Sequence, residues 1–113
     1  MTIIVIIKTD PFSSPRGVEA IRMALGLGSG NNRVEIILLG KAPFLIWEAT
    51  DELKDVETLE KYLPQLDDPG HPFYLTESFR ADNPEFRPTV ATRELSPGLI
   101  AQKIASGDRF LIF

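Results

Sequence analysis

Apolar residues fall along this chain in two alternating kinds of block. Short continuous runs rich in Ile and Val alternate with longer stretches where apolar side chains recur every three or four positions. The first run, Ile3-Ile4-Val5-Ile6-Ile7, has no polar face, as expected of a strand covered on both sides in a parallel sheet. A turn punctuated by Pro11 and Pro15 follows. Ser14 has N-cap chemistry and Pro15 suits a first helical position. Val18, Ile21, Met23, Ala24, Leu25 and Leu27 then give a broad apolar helical face. Gly26, Gly28 and Gly30 end that helix and Asn31-Asn32 turns the chain. Residues 33–39 read as a second strand, closed by Gly40. Strand, helix and strand together make a βαβ unit.

The second half continues the alternation. Residues 42–49 read as a short helix with Pro43 in its first turn. Its consecutive Phe44, Leu45, Ile46 and Trp47 are either buried on every side or form a subunit contact. Leu53, Val56, Leu59, Leu63 and Leu66 set a helix over 51–66, and Asp51, Glu52 and Asp55 suit the positive end of its dipole. Asp67-Asp68-Pro69-Gly70 is a turn, and Phe73-Tyr74-Leu75-Thr76 a short strand. Residues 77–88, polar and holding Pro84 and Pro88, read as a long loop, and 89–94 as a weak strand. Ser96-Pro97 caps a last helix on Leu99, Ile100 and Ile104, Gly107 stops it, and 109–113 closes the chain as a strand. This order predicts one α/β domain over 1–113, a three-layer sandwich with a mostly parallel five-stranded sheet.

Composition narrows the partners. The net charge is −4 and the twelve Lys and Arg are scattered, which argues against nucleic acid and an anionic membrane surface. No apolar stretch reaches the roughly 18 residues of a spanning helix. The apolar N-terminus lacks a basic flank and a cleavage site, so the reading is a cytoplasmic protein. A domain of 113 residues buries a modest core, which points to a homo-oligomer.

In an open α/β sheet, ligands bind outside the carboxyl ends of the strands. That rule directs attention to Thr9, Asp10, Phe12, Ser13 and Ser14 after the first strand, to residues 40–43 after the second, and to Thr76, Ser78 and Arg80 after the third. A pocket at the ends of the first and third strands is expected, lined by Thr9, Asp10, Phe12, Thr76 and Ser78. Ser13 and Ser14, with Arg16 near, suit either an anion or a plain helix cap. Glu77 and Arg80 suit a surface ion pair or an acid and its partner. His71, the single histidine, precedes a strand and so lies at the sheet end away from the expected site. Gly26-x-Gly28-x-Gly30 ends a helix, where a dinucleotide fingerprint would open one. The chain has no cysteine, hence no disulfide and no thiolate ligand. No catalytic residue, metal or cofactor is expected. The alternative is a small hydrolase or transferase around Asp10, Ser13, Ser14, Glu77 and Arg80, although no nucleophile–base pair is legible there.

Two segments carry a family resemblance. The opening Ile4-Val5-Ile6-Ile7-Lys8-Thr9-Asp10-Pro11-Phe12, with residues 17–27 and Val34-Glu35-Ile36-Ile37-Leu38-Leu39-Gly40, resembles the start of the DsrE/DsrF-like family. The closing helix and Ser106-Gly107-Asp108-Arg109-Phe110-Leu111-Ile112-Phe113 are similar to its end. The resemblance implies a YchN/DsrE-like fold and assembly as a homotrimer or hexamer, or as a hetero-oligomer with related subunits. Some members carry a cysteine at the end of the middle strand that relays sulfur as a persulfide. Thr76 stands at the matching position, and a hydroxyl cannot form a persulfide. The implied function is therefore a non-catalytic, oligomeric accessory in intracellular sulfur relay, or a small-ligand binder.

Overall fold

The computed structural model describes residues 1–48 and 52–113. Five strands form one sheet: β1 (Thr2–Ile7), β2 (Arg33–Leu38), β3 (Phe73–Thr76), β4 (Thr92–Leu95) and β5 (Arg109–Ile112). Their order across the sheet is β4-β3-β2-β1-β5, and every neighbouring pair is parallel. The expectation of a mostly parallel sheet is met in full. All five carboxyl ends therefore lie along one edge. The helices are α1 (Arg16–Gly28), α2 (Val56–Tyr62), α3 (Glu77–Asp82) and α4 (Pro97–Ala105).

Two apolar layers follow from the two-residue period of the strands. On one face, Ile3, Val5, Ile7, Ile36, Leu38, Phe73 and Leu75 pack beneath Val18, Ala20, Ile21 and Ala24 of α1 and Leu59 of α2. On the other, Ile4, Ile6, Ile37, Tyr74 and Leu95 meet Ile100 of α4. The first layer is the larger because several elements cover it. The second has α4, nine residues long. β5 pairs with β1 along one side and presents its other side as a sheet edge. The register Ile4↔Phe110 and Ile6↔Ile112 puts these two β5 residues on the α4 face, where Phe110 is 58% and Ile112 47% exposed.

Several local expectations are corrected. α1 begins at Arg16 with Pro15 at its cap position. The Ser14 hydroxyl accepts from Arg16 N–H at 3.2 Å and does not cap the helix as read from sequence. α1 also continues through Gly26 to Gly28. The short helix expected over 42–49 is a 3-10 turn, Ala42–Ile46, reached through Gly40 at φ +60, and Ala49 lies outside the described residues. The helix expected over 51–66 begins at Val56, after Asp55 in the left-handed region, and tightens to a 3-10 turn over Leu63–Leu66 where Pro64 removes a donor. Asp51 lies outside the described residues. The loop expected over 77–88 opens with α3, because the Thr76 hydroxyl caps it and Phe79 anchors it in the core. The weak strand sits at Thr92–Leu95. The Ser96-Pro97 cap stands as read: Ser96 Oγ accepts from Leu99 N–H at 3.3 Å.

Candidate functional site

The parallel sheet brings Thr9, Asp10, Phe12, Ser13 and Ser14, after β1, to the same sheet edge as Thr76, Ser78 and Arg80, after β3. β2 lies between the two groups, and the segment after it fills the space. Asp10 Oδ1 accepts from Phe12 N–H at 2.9 Å, and Asp10 Oδ2 lies 3.7 Å from Lys41 Nζ. Thr9 N–H donates to the Phe113 carbonyl at 3.3 Å, so β5 also reaches this end. Ser13 Oγ donates to the Asp10 carbonyl at 3.3 Å. Thr76 Oγ1 accepts from Phe79 N–H at 3.3 Å and lies 3.0 Å from Ser78 Oγ.

Between the two groups stands a cluster of aromatic rings that sequence reasoning missed. Phe44 stacks on Trp47 with centroids 5.1 Å apart and meets Phe12 edge-on at 5.2 Å. Phe79 meets Phe44 at 5.7 Å, Trp47 at 6.3 Å and Phe86 at 5.1 Å, each edge-to-face. Offset and edge-on packing of this kind is the favoured geometry of aromatic pairs. Phe44 and Trp47 thus pack on other rings of the same chain and stay half-buried, while Leu45 and Ile46 between them are buried. The signal available was that Phe12, Phe44, Trp47 and Phe79 all lie in the first half of the connection that follows a strand, with Phe86 further along the same connection as Phe79.

Arg80 does not join Thr76 and Ser78. Its Nε donates to Glu94 Oε1 at 2.8 Å, an Nη donates to the Phe86 carbonyl, and its guanidinium lies 5.1 Å from the Phe86 centroid. Its ion partner is Glu94 and not Glu77, and its work is to hold the 83–88 segment onto β4.

Two concavities lie at the opposite, amino edge. β2 starts at Arg33, but its ladder with β3 pairs only Ile37 with Tyr74 and Leu38 with Leu75. Arg33, Val34 and Glu35 therefore run past the start of β3. Pro72, preceding β3, has no N–H to extend the ladder. The resulting notch opens on both sheet faces. On the α1 face is a cavity of about 320 Å³ whose walls include Ala24, Ile36, Leu66 and Phe73, with Asn32, Arg33, Asp68 and His71 among its polar lining. That volume falls at the lower end of the roughly 300–1,000 Å³ of small-molecule sites. His71 Nδ1 lies 2.9 Å from Asp68 Oδ2, and this hydrogen bond, helped by the Gly70 N–H, holds the Asp68 carboxyl below its usual range. His71 is at the amino edge, as its place before a strand implied.

On the α4 face the notch is lined by Arg33, Arg93, Lys103 and Tyr74 and encloses about 610 Å³. Glu35 lies beneath it, 6% exposed. Glu35 Oε1 is 3.2 Å from Arg33 Nη2 and 3.1 Å from Lys103 Nζ. Lys103 Nζ also sits 4.4 Å from the Tyr74 ring centroid. Burial opposes the Lys103 charge, but the Glu35 hydrogen bond and Tyr74 outweigh it, so the ammonium titrates above its usual value. Among the described residues no cluster of His, Asp and Glu is arranged to hold a metal ion, and no helix is long and apolar enough to cross a membrane.

The backbone is similar to that of the YchN protein from E. coli, known from a crystal structure. The TM-score is 0.78 and the identity 16%, over 100% of this chain and 99% of that chain. At that identity the likeness shows the fold, which is YchN/DsrE-like. No family model and no curated protein matches the sequence.

Proposed function

We propose that this chain is a single DsrE/DsrF-like domain, residues 1–113, that acts without catalysis of its own. It serves in the cytoplasm as an oligomeric accessory in sulfur relay or small-ligand binding. One observation carries this reading. The sequence holds no thiol, and Thr76, which the resemblance matches to the relay cysteine, spends its hydroxyl on capping α3. A chain built this way receives no persulfide, so its contribution is made through surfaces. The polar groups that rim the aromatic cluster, Thr9, Asp10, Ser13, Ser14, Thr76 and Ser78, form the face offered to a partner or ligand. Assembly is supported by β5, an edge strand with Phe110, Leu111 and Ile112 all exposed. The hydrolase or transferase alternative gains no support, because Arg80 is committed to Glu94 and Phe86.

The test is the thiol that this position lacks. In Thr76→Cys the new sulfur inherits the Phe79 N–H and the neighbouring Ser78 hydroxyl, groups that stabilise a thiolate. Alkylation by iodoacetamide, followed across pH, is expected to show a midpoint below the model value of about 8.5. A midpoint at or above that value removes the basis for an inherited sulfur site and leaves small-ligand binding as the surviving half of the proposal.

A further inference from the structure

We propose that the α4-face notch at the amino edge of the sheet is an anion site for a phosphate group, bound by Arg33, Arg93 and Lys103. The inference is independent of the sulfur reading, since it lies at the opposite edge from Thr76.

The charge distribution is the first ground. The chain as a whole carries −4, yet three cations line this one concavity and its lining contains no Asp or Glu. One carboxylate, Glu35, lies beneath them, so three positive charges face one negative and two remain uncompensated. The nearest acidic side chains on the 67–72 turn are already engaged. Asp67 Oδ1 accepts from Ala91 N–H at 3.0 Å, and Asp68 holds His71 and Gly70.

Preorganisation is the second ground. A buried carboxylate is costly unless it is paired, and Glu35 is the buried charged residue of the described chain. Its Oε1 fixes two cations at once, one from β2 and one from α4. Lys103 is further confined over the Tyr74 ring. Arg93 stands on β4 directly beside Tyr74 in the ladder and, among the described residues, makes no ion pair, which leaves its guanidinium fork available. Arg33 and Lys103, held by Glu35 before any ligand arrives, together with the free fork of Arg93, match a doubly charged oxyanion with several acceptor oxygens. A phosphate group has that charge and that number of oxygens. Arg33 also lines the 320 Å³ apolar cavity on the other face of the notch, so a phosphomonoester with an apolar body has room beside its phosphate.

The experiment is a titration of the intact ¹⁵N-labelled protein at low ionic strength, in two arms: inorganic phosphate and phenyl phosphate. Saturable shifts at the amides of Arg33, Arg93 and Lys103 are expected in at least one arm. Equal affinity in both arms identifies free phosphate as the ligand, and tighter binding of the ester identifies a phosphorylated small molecule. Arg93→Gln is expected to weaken binding about tenfold, the loss of one charge-assisted hydrogen bond. Arg109→Gln makes the same change of net charge on β5 and is expected to leave the affinity within about twofold. Absence of saturable shifts in both arms overturns the proposal. So does equal weakening by the two variants, which would show attraction to overall charge and no site.

Discussion

Removing one ring from the strand-end cluster tests the architecture of that edge. Phe79 is 8% exposed and touches Phe44, Trp47 and Phe86, all edge-to-face. Phe79→Ala deletes a buried phenyl ring and three aromatic contacts. Core Phe→Ala changes cost about 3–5 kcal/mol, of which each aromatic pair accounts for about 0.5–1.5 kcal/mol. A domain of this size holds about 5–15 kcal/mol in total, so the variant is expected to fold with a large part of its stability gone. With a urea m-value of about 2 kcal/mol per M, a loss of about 4 kcal/mol lowers the midpoint by about 2 M. Trp47 is the single tryptophan and belongs to the cluster, so its emission follows both the unfolding and the local packing. The vacated space is apolar and is expected to take up benzene or indole, partly restoring the midpoint. Leu99→Ala, at a site 48% exposed, serves as the control and is expected to cost about 0.5 kcal/mol or less. A Phe79→Ala loss below about 1 kcal/mol with unchanged Trp47 emission would refute the packed cluster.

Four further substitutions have expected outcomes. Gly107→Ala drives a Cβ into Ile4 Cγ1 and within 3.3 Å of the Arg109 carbonyl, so thermal unfolding should show a loss of about 1–3 kcal/mol. Gly98→Ala, whose new Cβ meets nothing within 4 Å, should gain up to about 1 kcal/mol. Thr76→Ala, which removes the α3 cap, should cost about 1 kcal/mol by urea titration, and no loss would mean that the cap hydrogen bond is not formed. Glu35→Gln leaves Lys103 without its carboxylate and should cost about 1–3 kcal/mol at neutral pH. Because the folded Lys103 titrates above its ordinary 10.5, its contribution is fully present below that pH and is lost as pH rises through the folded value. The wild type should therefore lose more stability than Glu35→Gln between neutral and strongly alkaline pH, and parallel curves would contradict the pairing.

The strands were legible because local composition and global position agree. Ile3 to Ile7 and Ile36 to Leu38 are apolar without interruption, and both runs are central and covered on two faces. The Ser96-Pro97 start of α4 was legible for the same reason, as its cap lies within its own sequence. α3 was not. Residues 77–82 hold one large apolar side chain, Phe79, and the helix exists because that ring packs against Phe44 and Trp47 from the connection after β2 and against Phe86 further along its own. The strand-end rule correctly gathered Thr9, Asp10, Thr76 and Ser78 on one edge. It could not show that Phe44, placed by the turn after β2, would stand between them. The amino-edge notch depends on how far β2 overruns β3, a matter of register between segments far apart in sequence. Its members Arg33, Glu35, Arg93 and Lys103 come from three different elements, and no local motif announces them.

Assembly is the claim on which an accessory role most depends, and light scattering on the intact wild-type chain measures it directly. The account predicts a mass of three or six chains at micromolar concentration. It also predicts a shift toward the monomer in Phe110→Glu, where a charge replaces a side chain 58% exposed on the β5 edge. A wild-type chain that stays monomeric at that concentration would contradict it.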